Sequence, residues 1–262
     1  MEEIEVNKYW EENAGTWTKL TRLGYDLYRD HLNTHAFFEI LPPVAGLKGI
    51  DIGCGEGHNT RLLAAKGARL TAIDVSETFI NEAIKEEELN PFGIEYKVAS
   101  ATGLPFDDRQ FDFATSFMCL MDVPDASLAI REAFRVLRLG GFFQFSISHP
   151  CFNTSYRKNL RDADGNTYAI EIGSYFKNGS PVIEEWIFGA SPADLKAQLP
   201  KFKIPTFSRT LSQWVMALLD AGFIIEFMQE PFPGDDVVAA HPYLQDSQVV
   251  AYFRHIRCRK PL

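Results

Sequence analysis

The sequence predicts an α/β protein: one doubly wound parallel sheet, preceded by a helical segment and interrupted late by an insertion. Three observations carry this expectation. Short apolar runs alternate with amphipathic helical patterns between residues 47 and 148, the signature of a parallel sheet covered on both faces. A glycine cluster stands at the first strand-to-helix junction, where doubly wound sheets bind their ligands. The alternation breaks at His149-Pro150 and resumes at Thr210, which marks an inserted cap.

Residues 2–40 read as helical. Tyr9, Trp10, Trp17, Tyr25 and Tyr28 are interleaved with charges, Phe37, Phe38 and Ile40 close the segment, and Pro42-Pro43 stops it. Residues 48–52 are a short apolar run into the glycines, hence a buried strand. Residues 59–66 are helical, with Gly67 as the stop. Residues 69–73 form the second strand, and Ser76 caps a helix running to about Glu88. Strands three and four are 94–98 and 111–117. An amphipathic helix over 124–139 ends at Gly140-Gly141, and 142–148 is the fifth strand. In the insertion, Asn178-Gly179 separates the strand-like runs 168–176 and 182–188, a hairpin signal. Thr210-Leu211-Ser212-Gln213 is a capping box opening a helix that ends at Gly222. Residues 223–229 and 249–257 are the last strands, and the segment between them is long for a tight hairpin, marking a functional or mobile loop. The chain therefore divides into a helical lid (1–46), a core (47–148), a cap insertion (149–209) and a C-terminal part completing the core (210–262).

The sharpest local signal is Asp51-Ile52-Gly53-Cys54-Gly55-Glu56-Gly57. Three alternate glycines let the backbone turn tightly and approach a ligand without Cβ clashes. The spacing is GxGxG rather than the GxGxxG of nicotinamide dinucleotide sites, and no GxxxxGK[ST] is present. Cys54 and Glu56 put no positive charge where phosphates would need it, so a cofactor without phosphates fits better. Asp74 ends the second strand, where a carboxylate can accept hydrogen bonds from both hydroxyls of a ribose.

These residues carry a resemblance. The run 49–57, followed by Ala72-Ile73-Asp74-Val75-Ser76, resembles the first two motifs of the class I S-adenosylmethionine-dependent methyltransferases, in their small-molecule (type 11-like) branch. Leu104-Pro105-Phe106-Asp107, leading to Phe111-Asp112, resembles the family's run before strand four, and 132–141 resembles its helix into a Gly-Gly turn. The resemblance covers roughly 47–148. It implies a Rossmann-like seven-stranded sheet with the last strand antiparallel, and S-adenosyl-L-methionine as cofactor. It places Gly53, Gly55 and Gly57 along the methionine part, with Asp51 beneath the amino group. Asp74 would hold the ribose and Val75 pack on the adenine. Ala101 and Thr102 would sit at the adenine edge, and Phe117 beside the methionine moiety. The family often has an acidic residue at the place of Ser100, accepting from the adenine amine. A serine hydroxyl accepts more weakly. Relatives carry an aromatic-rich opening helix over the cofactor, so Trp17 is the candidate cover and Arg22 the candidate partner of the cofactor carboxylate.

The net charge is -9, which repels phosphate backbones and argues against nucleic-acid partners. The four cysteines are scattered without a CxxC pair, as expected of reduced thiols in a cytoplasmic protein. The acidic opening residues have no signal-peptide character, and no apolar run approaches the ~20 residues of a membrane span. No metal is expected: Asp122 and Asp125 are poor ligand spacing, and Asp125 reads as a helix cap. Oligomeric state has no sequence signal.

A methyltransferase must align nucleophile, methyl and sulfur, exclude water, and give the acceptor's proton somewhere to go. His149 follows strand five at the carboxyl edge of the sheet and is the candidate general base. Near the glycine loop, His58 reads as a capping or packing residue. Aromatics of the insertion, among them Tyr175, Trp186 and Phe188, form either an apolar pocket or a small core. Glu184-Glu185 reads as a solvated edge, with attraction of a cationic substrate as the alternative. The expected function is methyl transfer to O, N or C of a small molecule. The alternatives are an RNA methyltransferase, for which Arg157-Lys158 with Arg161 is the one basic cluster, and a non-catalytic S-adenosylmethionine-binding regulator. An oxidoreductase using NAD is a distant further reading.

Overall fold

The structure, a computed structural model, describes residues 1–176 and 181–262. The chain opens with helix α1 (Glu3–Arg22), whose first turn is secured by the Glu5 carboxylate accepting from the Glu2 N–H at 3.0 Å. A π-helical turn (Arg29–Asn33) leads into α2 (Thr34–Glu39). The alternation follows: β1 (Lys48–Ile52), α3 (His58–Ala65), β2 (Arg69–Asp74), α4 (Glu77–Leu89), β3 (Glu95–Val98), β4 (Phe111–Phe117), α5 (Ala126–Val136) and β5 (Leu137–Ser148). The insertion contributes β6 (Tyr156–Arg161), β7 (Thr167–Gly173), β8 (Val182–Trp186), α6 (Ala193–Gln198) and β9 (Phe202–Thr206). The core resumes with α7 (Leu211–Asp220), β10 (Ile224–Gln229), α8 (Asp235–Ala240) and β11 (Phe253–Arg259).

The main sheet has seven strands in the order β10-β11-β5-β4-β1-β2-β3. Strands β1 to β5 pair in parallel, and β11 runs antiparallel to both β5 and β10. The order reverses between β1 and β4, so the crevice at their carboxyl ends is the switch point where such sheets bind ligands. The strands are apolar because helices cover both faces: Ile50, Ile52, Phe113, Phe143 and Phe145 are fully buried.

The local signals account for most boundaries. Ser76 accepts from the Phe79 N–H at 3.1 Å and Asp125 from the Leu128 N–H at 2.8 Å, each starting a helix. The Thr210–Gln213 box closes as expected. The two motifs around Leu104 and Glu132 are one hydrogen-bonded unit. Glu132 accepts from the Leu104 N–H, while Arg135 donates to the carbonyls of Leu104 and Phe106.

Three boundaries differ from expectation. Helix α5 ends at Val136, and β5 begins at Leu137 with a register shift against β4. The buried ammonium of Lys260 donates to the carbonyls of Phe134 and Leu137, ending the helix from a distant part of the chain. The Asn178-Gly179 turn lies outside the described residues, and the strands it was to join pair elsewhere: β7 with β6, β8 with β9. The β6–β7 turn is built on Asp162, whose carboxylate accepts from the N–H groups of Asp164 and Asn166, with Gly165 at φ 88°. The segment between β10 and β11 is folded, holding α8 and a 3₁₀ turn (Pro242–Gln248).

The opening helix ties core to cap. Glu11 accepts from the Ser76 hydroxyl at 2.5 Å and from the Thr78 N–H at 3.2 Å at the start of α4. On the other side, buried Asn13 exchanges two hydrogen bonds with the Lys203 backbone in β9, at 2.9 and 3.1 Å. Leu20 packs with Phe188, Phe202 and Ile204 of the cap. Replacing Asn13 by Ala strands both backbone groups of Lys203, a cost of about 1–3 kcal/mol. The Asn13→Ala urea midpoint should fall accordingly with the m value kept. An unmoved midpoint would mean that this contact does not hold the cap.

Candidate active site

The carboxyl ends of the strands, α1 and the cap enclose a cavity of about 630 Å³. Its floor is the glycine loop. Gly53 turns at φ 74°, and a Cβ there would meet the Cys119 Sγ at 2.2 Å. Only glycine permits this packing. Gly55 also has positive φ, faces open space and lines the cavity. Gly57 is not in the cavity wall: it caps α3 at φ 82°, against the Tyr96 hydroxyl.

Asp74 stands at the end of β2, with one carboxylate oxygen accepting from the Gly55 N–H at 2.9 Å and the other from the Ser76 N–H at 3.0 Å. Burial raises its pKa to about 6, against the lowering effect of these bonds. Lone pairs remain on both oxygens for ligand hydroxyls. Asp51 is buried beneath the loop and accepts from the Thr60 and Thr115 hydroxyls at 2.6 and 2.8 Å. Burial pushes its carboxyl up as well. Val75, Ala101 and Phe117 line the cavity, with Trp17 over it from α1.

Ser100 and Thr102 stand just behind that wall, and their hydroxyls both donate to the carboxylate of Glu3, which does line the cavity. An acidic group is therefore present beside Ser100, delivered from α1 rather than from the loop after β3.

Besides Gly57, Ser100 and Thr102, two further expected residues lie outside the wall. Arg22 is exposed and outside the cavity wall, donating to Glu82 at 2.9 Å and to Glu56 at 3.4 Å. The cavity arginine of the lid is Arg29, in the π-helical turn. Buried Glu56 lies within 4 Å of Arg22, Arg29 and Arg61, so the glycine loop and the lid share one ion-pair cluster. His149 is also outside the wall and is 2% exposed. Its Nδ1 accepts from the Cys151 N–H at 3.2 Å, so Nε2 carries the proton and donates to Glu230 at 2.9 Å. Burial lowers its pKa. Neither ring nitrogen has a free lone pair for an acceptor, which removes the geometric basis for a general-base role. His58 lines the cavity, whereas Tyr25, His31 and His35 do not.

Sequence reading missed Asp26 and Tyr252, while Tyr28, Arg157, Asp122 and Glu184 were noted for other reasons, Glu184 as an alternative cation attractor; all six are in the wall. The guanidinium of Arg157 lies 4.1 Å from the Tyr252 ring centroid, and its Nε and Nη2 have no partner among the described residues. The charged and aromatic run around Tyr25–Arg29 was the one available signal for the lid residues. Nothing local marks Tyr252.

A glycine loop at the switch point, whose surrounding arginines are engaged by Glu56, and the Asp74 carboxylate at the end of β2 define with this strand order a class of enzyme fold. The fold and this site resemble those of the class I S-adenosylmethionine-dependent methyltransferases. Residues 50–145 match the family model described as a methyltransferase domain. The structure is similar to an S-adenosylmethionine-dependent methyltransferase from Mesorhizobium loti, with a TM-score of 0.70 and 28% identity, covering 86% of this chain and 96% of that one. The chain is 35% identical over 138 residues to the ubiquinone/menaquinone biosynthesis C-methyltransferase UbiE of Bartonella bacilliformis, covering 50% of this chain and 52% of that protein. It is 36% identical over 104 residues to a ubiquinone biosynthesis O-methyltransferase of Pseudomonas fluorescens, covering 39% and 45%. The chain thus spans about half the length of these curated relatives.

His149→Gln should keep cofactor affinity, and turnover within about threefold, while losing roughly 1–2 kcal/mol of stability with its buried hydrogen bonds. A turnover loss of a hundredfold or more, with the fold intact, would restore His149 as the base.

Proposed function

We propose that this protein transfers the methyl group of S-adenosylmethionine to an oxygen, nitrogen or carbon atom of a small molecule. The observation that carries the reading is the single cavity running from the glycine loop and Asp74 to the aromatic side chains of the lid and cap. Its volume of about 630 Å³ lies within the range of small-molecule sites. The two quinone-biosynthesis relatives, named for C- and O-methylation, support a small acceptor.

S-adenosylmethionine supplies an activated methyl carbon on a sulfonium. The chain's own residues bind and enclose it. Asp74 accepts from the ribose hydroxyls, and the Gly53–Gly55 backbone lies along the methionine part, above Asp51. Arg29 takes the carboxylate role first given to Arg22. Val75 and Ala101 flank the adenine, and Glu3 supplies the acidic acceptor that Ser100 lacks. Phe117 and Trp17 exclude water, which strengthens every polar contact in the cavity. No catalytic base is assigned to His149.

The RNA alternative is disfavoured by the same geometry. Arg157 turns inward over Tyr252, and Arg161 lies 3.5 Å from Asp246, so the expected basic cluster is not a continuous outer patch. Among the described residues no helix is long and apolar enough to cross a membrane, and no group of His, Cys, Asp and Glu has metal-site geometry. The four cysteines are free thiols, in keeping with a cytoplasmic setting. Detecting methyl transfer to any acceptor would exclude the regulator alternative.

Calorimetric titration with S-adenosylmethionine, S-adenosylhomocysteine and NAD tests the reading: saturable binding of the first two alone is expected, and binding of NAD alone would overturn it. Asp74→Ala should weaken S-adenosylmethionine by ~1.5–3 kcal/mol. Because the Asp74 carboxylate protonates near pH 6, wild-type affinity should fall as the pH drops from about 7 to 5. The Asp74→Asn variant should lack that fall. A flat wild-type profile would refute the ribose role. Glu3→Ala should cost about 1–2 kcal/mol of cofactor binding with α1 still helical by circular dichroism. Unchanged affinity would return the adenine contact to the loop after β3.

A further inference from the structure

The wall of the cavity holds two carboxyl groups that the cofactor reading leaves unused. Asp122 belongs to the 3₁₀ turn Leu120–Asp122 after β4, and Glu184 to β8 of the cap. Asp122 is 7% exposed, lines the cavity, and its side chain has no hydrogen-bond partner among the described residues. Burial pushes its carboxyl well up, and the neighbouring charge of Glu184 adds to the effect. Burial also raises Glu184, against the lowering effect of a hydrogen bond from the Thr206 hydroxyl, so of the two only Asp122 is unpartnered among the described residues. The cation acting on Asp122 among the described residues is Arg209, whose hydrogen bonds go to backbone carbonyls. It donates to the carbonyls of Met121, Val123 and Pro124 at 3.3, 2.6 and 2.7 Å. A buried carboxyl without a partner is costly unless a ligand satisfies it. The Glu184 carboxyl shares this wall and acts on Asp122 through its charge. Trp17 and Trp186, with ring centroids 5.7 Å apart, line the same cavity. Aromatic faces and carboxylates together favour a cation.

Resting on the methyltransferase reading, we propose that Asp122 and Glu184 form the acceptor-recognition site and bind the amino nitrogen of a small aromatic or apolar amine. The pair neutralises an incoming ammonium. The ionised Glu184 carboxylate also takes the proton an ammonium must lose, while Asp122, held in its protonated form by burial, accepts a hydrogen bond through its carbonyl oxygen: the N–H bond breaks, an O–H bond forms on Glu184, and the electron pair stays on nitrogen as the lone pair. The carboxyls are brought together by the cap, because β8 pairs with β9 and β9 packs on the turn that holds Asp122. Neither side chain is needed for the ribose, adenine or methionine contacts above.

The test is calorimetry on protein saturated with S-adenosylhomocysteine, titrated with tryptamine, a cation at neutral pH, and with tryptophol, its neutral alcohol counterpart. Tryptamine should bind at least about tenfold more tightly, close to 1.4 kcal/mol. Asp122→Asn and Glu184→Gln should each shrink that preference to about threefold or less, with S-adenosylhomocysteine affinity unchanged. Equal affinity for the two probes, binding of neither, or a preference surviving in both variants would overturn the proposal while leaving the methyltransferase reading standing. Failure of the wild-type protein to bind S-adenosylhomocysteine would overturn that reading, and the amine site with it. The wild-type comparison decides the matter even if a variant fails to fold.

Discussion

The site depends on one steric constraint, the reversal of the chain at Gly53 directly against Cys119. Strand β1 delivers the backbone to the switch point, and there is no room for a side chain between the loop and the turn after β4. With Gly53 in the left-handed region, the Gly55 amide comes within 2.9 Å of Asp74. The loop and the end of β2 then form one polar edge. Moving any of the three elements would expose or strand a buried carboxylate, which is why the glycines and the acid occur together.

The same loop anchors the lid. Glu56 is 4% exposed, a state that a carboxylate tolerates only when paired, and arginines from α1, the π-helical turn and α3 surround it. Asn33 continues the lock on the sheet, accepting from Ser146 at 3.0 Å and from the His255 Nε2–H at 2.6 Å. The N-terminal segment is thus built into the site along its length. It supplies Glu3 at one end of the cavity and Arg29 at the other, with Trp17 between them.

In the proposed reading, Trp17 is also where cofactor cover and acceptor pocket meet. Its ring packs edge-on or tilted against Trp186, Phe188 and Phe202 at 4.8–5.7 Å between centroids. Phe202 belongs to the small core of the cap alone, whereas Trp186 and Phe188 are in both that core and the cavity wall, so for these two both sequence readings hold.

The sequence by itself determined the sheet, because strand burial, caps and turn glycines are local or nearly so. The five parallel strands, the Ser76, Asp125 and Thr210 caps and the glycine loop follow from neighbouring residues. The resemblance implied that Asp51, Gly53, Gly55, Asp74, Val75, Ala101 and Phe117 share one site, and all seven line the cavity. Tertiary structure decided whatever rests on contacts far apart in the chain. Lys260 ends α5, and a hairpin at Asp164-Gly165 takes the partner that Asn178-Gly179 was expected to join. Arg29 rather than Arg22 enters the cavity because a π-helical turn rotates it there. His149 turns away because Glu230 and the Cys151 amide occupy its ring. Asp122 and Glu184, separate in sequence and ordinary in their local surroundings, become neighbours when the cap folds onto β4. Hydrogen-bond partners and burial are properties of assembled surfaces, and no local pattern encodes them.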